Sequence, residues 1–349
     1  MAENSSFVSQ LVQRSLSGYA AAAAERLFQQ HPEVAQAYGN DSFGSWRAHL
    51  AQRLEELSAA LAMDAPDLFA HEVGWTKSAF MAREVSAEHL RVSLESLRDT
   101  LEESLPPGRS ELAVSYITEA LTGLAESNGD PSDDEGVTDR RVFAYLEAAL
   151  EGDRRRAIKL LTDAVDDGLE VERAYLDVLV PAQREVGRLW HGHQLGIAQE
   201  HFVTATTQAA MAVLSNRAEA KPAHGKTVMA VAISGNAHDL GVRIVADMFE
   251  LEGWKAIWLS GSLPISDLVL ALDGFRPDLV ALSASLLVQL PNAETTIKAL
   301  KAEDGALKLL AGGRAFSKHP ELALRFGADA CETDLERALV TAAGLVGLG

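Results

Sequence analysis

Apolar residues recur at helical spacing through the first third of the chain. In 42–63 they fall at Phe43, Trp46, Leu50, Leu54, Leu57 and Leu61, and in 86–105 at Leu90, Leu94, Leu97 and Leu101. Stripes of this kind mark one face of an amphipathic helix turned to a core. Pro66 suits the first turn of a helix over Asp67–Arg83, with Asp64 placed to cap it. Pro106-Pro107-Gly108 interrupts the period and Glu111–Leu124 restores it. The spacing returns in Arg140–Glu151, Arg154–Asp167, Val171–Trp190 and Ala198–Asn216, joined by short turns, which predicts a small four-helix bundle. From Lys226 the period changes. Continuous apolar runs (Val228–Ile233, Ala256–Leu259, Leu279–Leu282, Leu307–Ala311) alternate with helical patterns (Leu240–Leu251, Ile265–Leu272, Glu294–Glu303, Glu336–Leu345). Buried parallel strands covered by helices give this signature, a doubly wound α/β sheet of about five strands. Ligands of such sheets sit beyond the carboxyl ends of the strands. The loops Ser234–Gly241, Ser260–Pro264, Ser283–Pro291 and Gly312–Ser317 are therefore where chemistry is expected.

Composition divides the chain further. Residues 126–139 hold six carboxylates and no basic residue among Gly, Pro and Ser, a self-repelling stretch that reads as an extended linker. A multidomain protein follows: an all-helical domain 1–125, an acidic linker 126–138, a helical bundle 139–218 and an α/β domain 219–349. The chain carries 31 Lys plus Arg against 50 Asp plus Glu, a net charge of −19, which disfavours a broad phosphate-binding surface. The absence of a long apolar stretch and of a basic-then-apolar start at MAENSSFVSQ makes a cytoplasmic protein without a membrane partner the expectation. One cysteine, Cys331, excludes a multi-cysteine metal site and falls where a final strand is expected.

The first crevice loop reads Ser234-Gly235-Asn236-Ala237-His238-Asp239-Leu240-Gly241. A His directly after a strand can turn its imidazole out of the sheet edge toward a bound metal complex. No Gly-x-Gly-x-x-Gly is present, so a dinucleotide site lacks its phosphate-cradling turn. The set His238-x-x-Gly241, Ser283-x-Ser285 and Gly312-Gly313 resembles the Asp-x-His-x-x-Gly, Ser-x-Leu, Gly-Gly signature of B12-binding domains. That resemblance implies a flavodoxin-like domain in which His238 replaces the cofactor's own benzimidazole as the lower ligand of cobalt. The displaced nucleotide tail would run in a groove lined by Ser283, Ser285, Gly312 and Gly313, where the two glycines leave it room. Asn236, Asp239, Leu240 and Gly241 complete the binding loop. Two positions depart from the family pattern. Asn236 stands where the family has an acid, and an amide orients the imidazole without adding charge, so a more weakly held lower ligand is expected. Ser285 stands at the Leu.

In the bundle, Trp190-His191 and Glu200-His201, ten residues from Trp190 to Glu200, resemble the upper-face motif in the four-helix caps of light-sensing B12 transcriptional regulators. The resemblance implies that Trp190 packs over the adenosyl group of adenosylcobalamin and that Glu200 and His201 contact it. His191 would bind cobalt from above once light has broken the cobalt–carbon bond. A large aromatic over that ligand excludes substrate, so a sensor and not an enzyme is expected. A corrinoid methyl-carrier protein of a methyltransferase system is the alternative; it shares both elements but needs cobalt open to a partner.

Residues 1–125 stand where those regulators carry a DNA-binding domain, yet no basic recognition helix is present and no direct nucleic-acid contact is expected. A helical segment of this length fits a globin-like sensor fold. The run Phe69-Ala70-His71-Glu72-Val73-Gly74-Trp75, Arg83 and the Pro106-Pro107 break resemble photocobilins, in which a bilin-binding globin-like domain joins a B12 photoreceptor core. A linear tetrapyrrole needs apolar walls, which Trp46, Phe69, Trp75, Phe80 and Tyr116 could supply, and polar contacts, which Arg47, His49, His71, Lys77 and Arg83 could supply. With the only cysteine in the α/β domain, biliverdin or a related bilin would be held non-covalently. Haem, or a ligand-free dimerisation domain, satisfies the same residues. A homodimer and an unknown downstream protein are the expected partners.

Overall fold

The computed structural model describes residues 2–37, 41–126, 139–261 and 263–348. It divides into two compact units, Met1–Asp133 and Asp134–Gly349. Apart from Glu126, the acidic linker 126–138 lies outside the described residues. Among those residues no helix is long and apolar enough to cross a membrane.

The first unit is helical throughout: α1 (Ala2–Arg14), α2 (Leu16–Gln30), α3 (Pro32–Ala37), α4 (Ser42–Met63), α5 (Pro66–Ala82), α6 (Ala87–Ser104) and α7 (Ser110–Glu126). Leu50, Leu54, Leu57 and Leu61 of α4 and Leu90, Leu94, Leu97 and Leu101 of α6 are fully buried, as their spacing predicts. One expectation fails at the α4–α5 corner. Asp64 does not cap α5; it ends α4 in the left-handed conformation, φ 57°, where its N–H bonds back to the carbonyls of Ala60 and Leu61. Ala65 is the residue before α5, and Pro66 opens the helix with its fixed φ in place of a side-chain cap.

The second unit begins with α8 (Arg140–Leu150) and α9 (Arg154–Asp166), each started by an aspartate whose carboxylate accepts a first-turn N–H: Asp139 from Arg141, Asp153 from Arg156. Next come α10 (Val171–Ala174), a π-turn at Tyr175–Leu179, and α11 (Val180–His191), which form one continuous rod. Pro181 has no N–H to give the preceding turn, and Val180 N–H reaches five residues back to the Tyr175 carbonyl, so the helix widens there. The bundle closes with α12 (Ile197–Ser215).

The sheet follows as β1 (Thr227–Ala232), α13 (Leu240–Leu251), β2 (Lys255–Leu259), α14 (Ile265–Phe275), β3 (Leu279–Ser283), α15 (Leu290–Glu303), β4 (Lys308–Gly312), α16 (Glu321–Phe326), β5 (Ala330–Glu332) and α17 (Leu335–Leu345). All five strands are parallel in the order β2-β1-β3-β4-β5. That order reverses direction between β1 and β3, which opens a crevice at their carboxyl ends. The register aligns Ala232 with Ser283 and Ser283 with Gly312, so three predicted loops leave the sheet side by side. Ile244 and Met248 of α13 belong to the same buried cluster as Tyr145, Tyr175, Val186 and Met211 of the bundle, with Leu335 and Leu339 of α17 against it. Bundle and sheet are therefore packed on one shared core.

Candidate functional site

At the end of β1 the chain turns through Gly235, whose φ of +83° suits only a residue without Cβ. Asn236 then folds inward and is 3% exposed. Its Oδ1 accepts the His238 N–H at 3.0 Å, and its Nδ2 donates to Ser285 Oγ at 3.1 Å. Ser285 is itself fixed, because Gln289 Oε1 accepts the N–H groups of Ser285 and Leu286 at 2.8 and 3.2 Å. Asn292 Nδ2 donates to the Ser234 carbonyl at 2.9 Å. The amide of Asn236 thus holds the backbone of His238 and ties the first loop to the third. His238 is exposed at the crevice, Asp239 and Leu240 are half-buried beside it, and Gly241 lies in the first turn of α13.

The glycines differ in what surrounds them. A Cβ on Gly241 would meet no atom within 4 Å, so the start of α13 beside His238 faces open space. At Gly312 a Cβ would stand 2.4 Å from the Glu332 carbonyl oxygen, and at Gly313 2.3 Å from that of Ala284. Gly313 also has φ +93°. The paired glycines thus admit the protein's own backbone at the β3–β4–β5 ends, where any side chain would meet a neighbouring loop. Ser283 is half-buried, with its Oγ close beside Gly313.

On the bundle, Trp190 and His191 end α11 and Glu200 and His201 lie in the first turns of α12. Trp190 is 37% and Ile197 63% exposed, and His201 is exposed as well. His191 is half-buried, with both ring nitrogens inside. Glu200 is held on both oxygens: Oε2 bonds His201 Nδ1, and Oε1 accepts from Thr204 Oγ1 at 2.8 Å. Tyr175, carried by the π-turn, reaches out of the bundle to α13, where its hydroxyl lies 2.8 Å from Asp247 Oδ2 and 3.1 Å from the Met211 carbonyl oxygen. Burial, with Asp247 beside it, pushes the Tyr175 phenol up, and burial likewise pushes the Asp247 carboxyl above its ordinary value.

These residues suit a corrinoid. An exposed imidazole stands at the switch point of the sheet, the adjacent helix start is open at Gly241, and the cap presents a partly exposed indole. The chain carries a cobalamin-binding module: residues 143–215 and residues 226–343 each match a family described as a B12 binding domain. Among proteins of known name it is similar to the HTH-type transcriptional repressor CarH of Myxococcus xanthus, 25% identical over 65% of this chain and 75% of that one. It is also similar to trimethylamine corrinoid protein 1 of Methanosarcina mazei, 25% identical over 52% of this chain and 86% of the relative. Among solved structures, the monomethylamine corrinoid protein of Methanosarcina barkeri superposes with a TM-score of 0.50 at 18% identity, covering 61% of this chain and 100% of its own. It shares the fold.

In the helical unit, the residues considered for a tetrapyrrole separate into groups. His49 packs against Trp46 and Phe80, with ring centroids 5.3 and 5.0 Å away. Trp46, Phe69 and Tyr116 belong to the buried core, and Arg47 is exposed. His71 and Trp75 share a half-buried face of α5. Lys77 Nζ donates to the Leu124 carbonyl at 3.0 Å, and Arg83 Nη1 to that of Ala79 at 3.0 Å. The sequence reading missed the buried polar face of α4 beside them. Arg53, 2% exposed, donates through Nη2 to Glu56 Oε1 at 2.6 Å and through Nη1 to Thr76 Oγ1. Burial pushes the Glu56 carboxyl up and the His49 imidazole down to about 3. The spacing 49, 53, 56 on one helical face was the available signal.

Proposed function

We propose that this protein is a light sensor, not an enzyme, that binds adenosylcobalamin with His238 below the cobalt and Trp190, Glu200 and His201 above. What carries the reading is the joint occurrence, in one B12-binding module, of an exposed His238 at the β1 end, an exposed Trp190 at the end of α11 and the held Glu200–His201 pair at the start of α12. When bound, the cofactor supplies a cobalt–carbon bond that visible light breaks. Trp190 would cover the adenosyl group and keep substrates out, Glu200 and His201 would contact it, and His191 would be a second imidazole able to hold cobalt. Ser283 and Ser285 are placed to hydrogen-bond the nucleotide tail. Because bundle and sheet share a core, a volume lost beneath Trp190 is answered by a two-state shift of packing. The globin-like reading of the helical unit goes with this: a non-covalent bilin of the biliverdin type among His49, His71, Trp75 and Arg83, within a cytoplasmic homodimer that signals to another protein. The test is a visible spectrum. Protein loaded with adenosylcobalamin in the dark changes spectrum under green light; an unchanged spectrum rejects the light-sensing role.

The similarity to a trimethylamine corrinoid protein favours a second reading, a methyl carrier for a methyltransferase. A carrier holds methylcobalamin at least as tightly as the adenosyl form, and Trp190→Ala leaves that binding unchanged.

A further inference from the structure

The interior of the bundle contains a polar chain that its packing does not require. Tyr145 of α8 and Thr207 of α12 are both fully buried, and their hydroxyls are 2.7 Å apart. Gln183 of α11 donates through Nε2 to the same Thr207 Oγ1 at 2.7 Å. Its Oε1 lies 3.4 Å from Thr204 Oγ1, which donates to Glu200 Oε1 at 2.8 Å. Five side chains from three helices thus run from the middle of the bundle to the carboxylate at its exposed end. Neighbouring core positions are Val142, Leu146, Ala182, Val186, Val203 and Ala210. Aliphatic residues would fill the same volume without desolvating two hydroxyls and an amide.

We infer that Tyr145, Thr207, Gln183 and Thr204 are positioning residues that fix the Glu200 carboxylate and so make the cap selective for a bulky, hydrogen-bonding upper ligand. The inference rests on the upper-face reading proposed above. Each member leaves the next one geometry. Thr204 has one proton for two acceptors, Gln183 Oε1 at 3.4 Å and Glu200 Oε1 at 2.8 Å, so the chain closes with the Gln183 amide turned end for end. Tyr145 then donates to Thr207, Thr207 to the amide oxygen, the amide nitrogen to Thr204 and Thr204 its single proton to Glu200, which leaves Oε2 to His201. A carboxylate held in this way offers a fixed acceptor to the hydroxyls or amino group of an adenosyl ligand. A methyl ligand has nothing to offer it.

The test compares dark affinities of the full chain for adenosylcobalamin and methylcobalamin by spectroscopic titration. The wild type prefers the adenosyl form. Thr207→Val and Gln183→Leu, which keep the volume and remove the bonds, each cut adenosylcobalamin affinity about tenfold, the effect of about one buried hydrogen bond. Both leave methylcobalamin affinity within about twofold, on the same warrant that the methyl form makes none of these bonds. Thr207→Ser restores the preference. Tyr145→Phe retains the ring and acts in the same direction, which guards against a misfolded core variant. An adenosyl-to-methyl ratio unchanged in Thr207→Val, Gln183→Leu and Tyr145→Phe, with the wild-type preference intact, overturns the positioning role alone. A wild type with no preference overturns it together with the upper-face reading.

Discussion

The four glycines at the sheet's carboxyl edge do different work, and substitution separates them. Ala at Gly313 would bring a Cβ to 2.3 Å from a carbonyl oxygen at a φ of +93°. Both the clash and the backbone strain act in the folded state, so Gly313→Ala is expected to destabilise the second unit by on the order of 3 kcal/mol. Ala at Gly241 meets nothing within 4 Å on a helical residue, so it leaves stability unchanged or raises it by up to about 1 kcal/mol. The added methyl enters the open space at the start of α13, however, where the cofactor is proposed to lie, and cobalamin affinity is expected to fall. Urea unfolding of both variants, with a cobalamin titration of Gly241→Ala, checks the pair; a Gly241→Ala protein that binds as the wild type does removes that helix start from the site. These two residues also show where reading the sequence reached its limit. The motif located both glycines, but what lies at a missing Cβ depends on Glu332 and Ala284, which only the sheet order brings near. Asn236 is similar: its position was legible, its bond to a serine 49 residues later was not.

Helices and strands were largely legible because burial imposes a period on the sequence. The bounds of α4 match the predicted Ser42–Met63, and Cys331 lies in β5 as expected. The π-turn was not legible, since Val171–Trp190 reads as one uninterrupted helix and only the backbone bond from Val180 to Tyr175 reveals the extra residue per turn. That turn delivers the Tyr175 hydroxyl to Asp247 on the helix that follows the His238 loop. One phenolic proton cannot serve both the Asp247 carboxylate and the Met211 carbonyl. A protonated Asp247 donates to Tyr175, which then donates to Met211, and both contacts are satisfied. Burial raises the Asp247 pKa against the Tyr175 hydrogen bond and the charge of Arg243, which lower it, with Glu250 adding to the rise. A carboxyl with a raised folded pKa contributes stability at low pH and loses it as pH rises through the folded value. The margin of wild type over Asp247→Asn is therefore expected to widen as pH is lowered from neutrality toward about 4, the ordinary aspartate range. Denaturant titrations of both proteins across that interval decide it, and a margin independent of pH means that Asp247 titrates alike in the folded and unfolded chain, against the shared-proton arrangement.

Two compact units with separate cores should respond separately to ligands and acid. Every residue assigned to cobalamin lies in Asp134–Gly349. A ligand that binds only the folded state stabilises the unit that holds it, by about 2.7 kcal/mol at a concentration one hundred times its Kd. Cobalamin is thus expected to move the unfolding transition of the second unit and leave that of the helical unit in place. Acid should act in the opposite sense on the helical unit through His49. Among the described residues its Nε2 is buried without a hydrogen-bond partner, and burial, reinforced by the Arg53 charge, lowers its imidazole from 6.5 to about 3. A base with a depressed folded pKa contributes fully above its unfolded value and loses that contribution as pH falls through 6.5 toward 3. At pH 5 the loss is about 1–2 kcal/mol. Glu56 of the same unit, raised by burial to about 7, takes up a proton in this window and acts the other way, so the His49 contribution is read as a difference: His49→Leu, which has no proton to take up, should gain that amount on the wild type between pH 7.5 and 5. Equal acid sensitivity in the His49→Leu protein would place the titrating group elsewhere in the unit. A bilin that stabilised the same transition at neutral pH, and less so in His49→Leu, would tie the imidazole between Trp46 and Phe80 to the chromophore as well as to the core.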